Sequence, residues 1–478
     1  GFSEWKSLGY SDAELKILLT LREFTDDEDL RQRTDMVIDT ILLQYALYNF
    51  HGDLACSQGR SSWWTIMRGD EQMPSSTCSL LFGRGKHTEI TSAACVLFAC
   101  GTYDVPPVLQ AIARDDRPER IITERESLNV EEANGFGVDP ADDKNIMFFW
   151  GAQLYDHRDV IETSNRIMPR DDYYMNGRVQ AWLDHYRYCE RHGIPTDPDP
   201  DFTALSRADE YLCKTPYWQL SCVRDFRKGK LGFGQHIWQA TVGEKAMVFV
   251  TQPGSSNLKQ RPNYWSANSI MPRAAAHRNV CVSIHWIDPA RADWRIPLWD
   301  DTHAYFPVFA FDEVVEKAGW VCGRKGEGYV ALRSMKPAEW RDPDPAVIQK
   351  VYRFDEEARQ RAMASKYELM AHGHANVWVC ELGDRQRSGS FADFVESVAA
   401  ASLGGTWEAM QYESPSLGPV TFGWDAPLVV DGKEIDLHPP KRLDCPYGES
   451  EFGSGHYEVA FNGHSLVLDH EAGERQIS

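Results

Sequence analysis

Near residue 225 the hydrophobic period of the chain changes from that of helices to that of strands, and no other feature restricts the fold as much. Before the change, residues 35–50 carry Met36, Val37, Ile38, Ile41, Leu42, Leu43, Ala46, Leu47 and Phe50, apolar on more than one face. That pattern predicts an inner helix covered on most sides. Ser11-x-x-Glu14 and Thr25-x-x-Glu28 have capping-box spacing and predict two helix starts. Further helices are expected within 91–100, 108–114, 150–167 and 177–192, the last stopped by Gly193 and Pro195. Residues 116–147, acidic and rich in Gly and Asp, read as a long surface loop. After the change, Val280, Val282, Ile284 and Trp286 alternate with Cys281, Ser283 and His285, the signature of a half-buried strand. Asp431-Gly432 and Asn462-Gly463 lie between apolar runs and predict two-residue hairpin turns, and residues 325–328 join 320–323 to 329–332 less tightly. Helices first and hairpins afterwards define an α+β multidomain chain, not an alternating α/β sheet. With residues 195–201 read as a linker, the expected domains are 1–225, helical, and 226–478, antiparallel β.

Composition narrows the function. Among 478 residues, 71 Asp and Glu outweigh 50 Lys and Arg, a net charge of -21 that disfavours nonspecific binding to nucleic acid or an anionic membrane. No apolar run approaches the roughly 20 residues of a membrane span. The 11 cysteines are scattered and form no CxxC pair, so they read as small buried hydrophobes rather than a disulfide framework or a zinc ribbon. The aromatic share is 12%, with 16 Trp, which suits stacking platforms in a carbohydrate cleft as well as a large core.

Several short strings crowd polar, basic and aromatic residues together. Asn49-Phe50-His51-Gly52 and then Gln58-Gly59-Arg60-Ser61-Ser62-Trp63-Trp64 follow the inner helix; there Gln58 and Arg60 are suited to gripping a carboxylate. Tyr155-Asp156-His157 puts a Tyr and a His two residues apart, so at most one faces any cleft. From Lys259 to Arg278 the chain carries Arg261, Arg273, His277 and aromatic residues but no acidic one, a local positive patch preceded by His236. Thr302-His303-Ala304-Tyr305 forms a further string. His372 and His374 would face one side of a strand, but a zinc site needs a third ligand that the neighbouring sequence does not offer. The chain has no nucleophile elbow, P-loop, dinucleotide fingerprint or zincin motif.

Gln58-Gly59-Arg60 after an inner helix and Arg261-Pro262-Asn263-Tyr264-Trp265 early in the β region resemble the heparinase II/III-like polysaccharide lyases. The resemblance implies an incomplete (α/α) toroid followed by an antiparallel β-sandwich, cleaving uronate-containing polysaccharides by β-elimination. A complete six-hairpin toroid needs about 300 residues, and only residues 1–225 precede the β half, so either the toroid is partial or an N-terminal portion is missing. The family's His-rich segment at the start of the β region is also absent here. Elimination needs donors for the uronate carboxylate, a base for the C5 proton and an acid for the leaving oxygen. On this reading Tyr264 or Tyr305 is base and acid, with His236 or His303 as partner, and cationic neighbours favour the phenolate. Gln58, Arg60, Asn263, Arg261 and His157 would bind substrate, while Trp63, Trp64 and Trp265 would stack on sugars. The resemblance names a polysaccharide as partner and favours a secreted or periplasmic setting. It leaves open a structural divalent metal and a homo-oligomer.

Two alternatives remain at this stage. A glycoside hydrolase on the same kind of toroid would use paired carboxylates, for which Asp53, Asp70 and Glu71 are placed after the inner helix. A non-catalytic carbohydrate-binding protein would have aromatic platforms without a converging Tyr, His and Arg cluster.

Overall fold

The computed structural model describes residues 4–69, 72–85, 92–168, 177–196, 206–232, 234–256, 258–259, 263–265, 270–288 and 299–478, with side chains described from 180 in the helix that starts at 177. It is a mixed α+β structure of helices and antiparallel sheets. Two helices, Leu8–Phe24 and Glu28–Tyr48, form an antiparallel pair at the start. The cap of the second is Asp27, whose carboxylate accepts the Leu30 N–H at 3.1 Å, rather than Thr25. Ser11 lies inside the first helix, donating back to the Ser7 carbonyl at 2.7 Å, because the helix already begins at Leu8. The inner helix is buried almost continuously from Thr34 to Tyr48, as its several apolar faces require. The 150–167 segment forms two helices, Ile146–Gly151 and Arg158–Ile167, instead of one.

A 13-stranded antiparallel sheet organises the chain. Its order runs from Ala338–Trp340 through Glu368–His372, Asp301–Tyr305, Ala246–Thr251, Trp238–Gly243, Gln219–Arg224, Ala208–Lys214 and Arg120–Glu126 to Leu443–Cys445 and the C-terminal hairpins. One face meets the first helices, so Ile122 and Leu212 share a core with Ile38, Leu42 and Tyr45. Part of the other face meets a six-stranded sheet, so Leu220, Cys222 and Val248 pack with Ala274, Cys281, Val330 and Trp378. That second sheet is covered in turn by the Phe391–Ala400 helix and a five-stranded sheet, through Val280, Val282, Ile284, Phe394 and Tyr412. The strand Val280–Trp286 is therefore buried on both faces and not on one: Cys281, Ser283 and His285 are as enclosed as the apolar residues between them.

Both predicted tight hairpins form. Asp431 and Gly432 have φ of 48 and 73, Asn462 and Gly463 have φ of 53 and 81, the double left-handed geometry that these residue pairs tolerate. All 11 cysteines are free thiols, eight of them buried. No helix among the described residues is long and apolar enough to cross a membrane.

The segment 116–147 is not a surface loop. It contains the strand Arg120–Glu126, which pairs with Ala208–Lys214 on one side and Leu443–Cys445 on the other. Its even positions, Arg120, Ile122, Glu124 and Glu126, are all buried. Here the inward face of the strand is charged, so a hydrophobic pattern does not reveal it. The charges meet partners: Lys6 Nζ lies 2.8 Å from Glu124 and 2.6 Å from Glu210, and Arg442 lies 3.2 Å from Glu124 and 2.8 Å from Glu126. Gln44 donates to Glu126 at 2.6 Å and the Tyr48 hydroxyl to Glu210 at 3.1 Å. Burial works against the charge of Lys6, but the three carboxylates outweigh it and hold the ammonium protonated. Burial pushes the Glu210 carboxyl up to about 7, so the third acid in a group with two cations takes up a proton near neutral pH.

Removing the central cation tests this arrangement. Lys6→Met is expected to cost about 3–5 kcal/mol in denaturant unfolding, because it strands buried carboxylates. Folded Glu210 keeps its proton to about pH 7 from an ordinary value of 4.5, so its contribution to stability falls as pH rises through that interval. Glu210→Gln should flatten that slope; a variant that keeps the wild-type slope would exclude Glu210 as its source.

Candidate active site

Three neighbouring strands of the large sheet, Ala246–Thr251, Asp301–Tyr305 and Glu368–His372, place the site. His303 sits opposite Thr251 and Met370, and Tyr305 sits opposite Phe249 and Glu368. Residues directly opposite in an antiparallel pair share a face, so Phe249, Thr251, His303, Tyr305 and Glu368 all project to one side. The short segment Asn263-Tyr264-Trp265 lies over them. It is pinned by Asn263, whose side-chain oxygen accepts the Trp265 N–H at 2.9 Å and whose carbonyl accepts the Gly254 N–H at 2.9 Å.

Glu368 Oε1 is the common acceptor. The Tyr264 hydroxyl donates to it at 2.6 Å and His303 Nδ1 lies 2.8 Å away. The Trp265 ring stacks on the His303 imidazole at 4.0 Å and 20°, and the Tyr264 ring meets the same imidazole edge-on at 4.8 Å. Trp265 and His303 are fully buried and Glu368 and Asn263 nearly so, while Tyr264 is partly exposed. Tyr264 is thus the one member of this group that reaches the surface. Burial, and then the Glu368 carboxylate, raise its phenol above the ordinary value. The expected cationic surroundings are reversed: a carboxylate holds Tyr264 as a neutral donor.

The Gln58 string reaches the same cluster through His236. Gln58 and His236 form a backbone bridge, with N–H to carbonyl distances of 2.9 and 2.8 Å. The His236 ring packs edge-on against Phe249 at 4.8 Å, and Phe249 meets Trp265 and Tyr305 at 6.4 and 5.2 Å. His236 Nε2 is 3.0 Å from Gln239, and burial pulls the imidazole down to about 4, so it is neutral at neutral pH. Gly59 touches the Trp5 indole so closely that a Cβ there would lie 2.7 Å from the ring, which explains the glycine between Gln58 and Arg60. Both polar atoms of the Gln58 side chain, and His303 Nε2, are buried without a hydrogen-bond partner among the described residues. Such groups are uncommon in a folded protein and call for a partner, ordered water or ligand.

Other expected residues are engaged elsewhere. Tyr305 is buried, its hydroxyl bonded to the Tyr352 hydroxyl and within 3.3 Å of the Met67 carbonyl, and burial pushes its phenol up. It is a core residue, 1% exposed. Trp63 and Trp265 belong to the buried cluster around Phe249 and offer no free ring face, and half-buried Trp64 lies under Lys350 at 4.8 Å. Arg60 bonds Gln153 at 3.1 Å and lies 3.9 Å from Glu4. His157 is buried and caps the Arg158–Ile167 helix, accepting the Asp159 N–H at 3.3 Å. Arg261, Asp70 and Glu71 lie outside the described residues. Asp53 is buried and accepts from Ser75 at 2.7 Å.

Two cations of the positive patch are held in ion pairs: Arg273 grips Asp225 twice at 3.0 Å, and Arg278 meets Glu119 at 2.9 Å. Exposed His372 pairs with Asp301, and His374 lies 2.8 Å from Asp300. No group of three or more His, Cys, Asp or Glu able to hold a metal occurs among the described residues. Glu368 escaped sequence reasoning. Its one local sign is an acid opening the otherwise apolar run Leu369-Met370-Ala371.

No protein-family model matches the chain, and a search of curated proteins finds no match.

Glu368→Gln removes the negative charge beside Tyr264 and is expected to bring the phenol down, seen in an ultraviolet difference titration against Tyr264→Phe. Glu368→Leu leaves the buried His303 Nδ1 without its acceptor and should cost about 1–3 kcal/mol of stability.

Proposed function

We propose that the protein is a polysaccharide lyase that cleaves a uronate-containing polysaccharide by β-elimination, on an incomplete helical toroid joined to a β-sandwich. The observation that carries this reading is the Tyr264 hydroxyl, partly exposed and donating at 2.6 Å to a carboxylate that also holds His303 at 2.8 Å. The helical layer on one face of the large sheet and the second sheet on the other support the architectural part.

In this mechanism Tyr264 passes its phenol proton to Glu368 in concert with taking the C5 proton of the docked uronate, so that no free phenolate, which burial and the neighbouring carboxylate disfavour, has to form. The C5–H bond breaks, a C4–C5 double bond forms, and the C4–O bond breaks. The leaving oxygen takes the proton back from Tyr264, which recovers its own from Glu368. His303 positions Glu368. The unmatched amide of Gln58 supplies a donor for negative charge growing on the substrate carboxylate.

A screen of glucuronan, alginate, glycosaminoglycans and ulvan-type polymers for a gain in ultraviolet absorbance tests the proposal, because only elimination makes a conjugated unsaturated uronate. On the polymer that responds, Tyr264→Phe is expected to lower kcat by about 10²–10⁴-fold, whereas Tyr305→Phe should affect chiefly stability. Release of reducing ends without absorbance gain would mean hydrolysis, and full activity in Tyr264→Phe would remove Tyr264 from the mechanism.

A further inference from the structure

A cavity of about 390 Å³ that shares no residue with the Tyr264 cluster opens where the strands Ala208–Lys214 and Gln219–Arg224 meet the loop carrying His438. In a chain of net charge -21, its walls bring together Arg207, Arg224, Arg227, Lys230 and His438. The carboxylates among its walls, Asp209, Asp225 and Glu131, are fewer, and two of them are already matched. Arg207 grips Asp209 at 2.9 and 3.0 Å, and His438 Nδ1 lies 2.7 Å from the same carboxylate. Arg273 grips Asp225 with two hydrogen bonds of 3.0 Å. Those two acids raise the imidazole of His438 to about 9, so it is cationic at neutral pH and shares Asp209 with Arg207.

Arg224 is the decisive residue. It is 5% exposed, and among the described residues its guanidinium donates only to the backbone carbonyls of Ala276, at 3.1 and 2.8 Å, and Asp436, at 3.2 Å, while lying 3.8 Å over the Tyr211 ring. It forms no ion pair with any carboxylate among the described residues. A buried cation without a counter-charge is costly, and a guanidinium recognises oxyanions through paired donors. We propose that this cavity binds a tetrahedral oxyanion of the sulfate or phosphate class, free or as an ester group on a sugar, with Arg224 as its buried anchor and Arg227 and Lys230 at its mouth.

Calorimetric titration of the whole protein with sodium sulfate, sodium phosphate and glucosamine 6-sulfate, against sodium chloride at equal ionic strength, tests this. Saturable one-to-one binding of at least one oxyanion is expected, unchanged in Tyr264→Phe and at least tenfold weaker in Arg224→Gln. Since Arg224 is buried, Arg227→Ala and Lys230→Ala provide variants that keep the core intact, and each should weaken binding severalfold. Tighter binding of the sugar ester than of inorganic sulfate assigns the ester as ligand; the reverse order assigns the free ion. No saturable heat with any of the three, or wild-type affinity in both surface variants, overturns the proposal.

Discussion

The structure depends on a charge cluster sealed between the first helices and the large sheet. Lys6 comes from the turn before the first helix, Glu124 and Glu210 from adjacent strands, Gln44 and Tyr48 from the inner helix, and Arg442 from the entry to the C-terminal hairpins. Each of these elements supplies a group that would be uncompensated if any other were displaced. Apolar surfaces could pack in several registers, but a buried carboxylate accepts only the register that brings its cation within reach. At the far end of the inner helix Lys214 ties helix to sheet without a carboxylate: its side-chain nitrogen donates to the carbonyls of Leu47 at 2.9 Å and Asn49 at 2.6 Å, and burial pulls its pKa well down.

This explains which parts of the fold the sequence makes legible. The inner helix, the 177–192 helix, the Val280–Trp286 strand and both two-residue hairpins follow from local periodicity and turn chemistry, and each is present. Arg120–Glu126 is hidden because its inward face is charged, so composition marks it as solvated where the structure encloses it. The run from 259 to 278 misleads in the opposite direction. It contains no acid, yet Asp225 and Glu119 come from other parts of the chain to neutralise Arg273 and Arg278. Charge read along a chain is a poor guide to charge in space once a large sheet brings distant segments together.

The site divides in the same way. Asn263, Tyr264, Trp265, His303 and His236 are legible as residues, and the sheet gathers them around Phe249. Their roles are not legible, because role depends on Glu368, 104 residues from Tyr264. That carboxylate turns the expected phenolate into a phenol that keeps its proton and donates a hydrogen bond. It also explains why tryptophans beside polar strings are not open platforms: Trp265 serves as the wall against which His303 is stacked.

The central place of the strand Arg120–Glu126 has a consequence for how the protein is made. One of its edges is completed by Ala208–Lys214, but the other waits for Leu443–Cys445, and Arg442 meets Glu124 across 318 residues of chain. During synthesis the early helices and the first strand pairs can emerge and collapse, but Glu124 and Glu126 lack Arg442 until residues 442–445 have been made. Until then the strand keeps an open edge beside carboxylates that Lys6 alone offsets, and the remaining negative charge disfavours pairing of that edge with a neighbour.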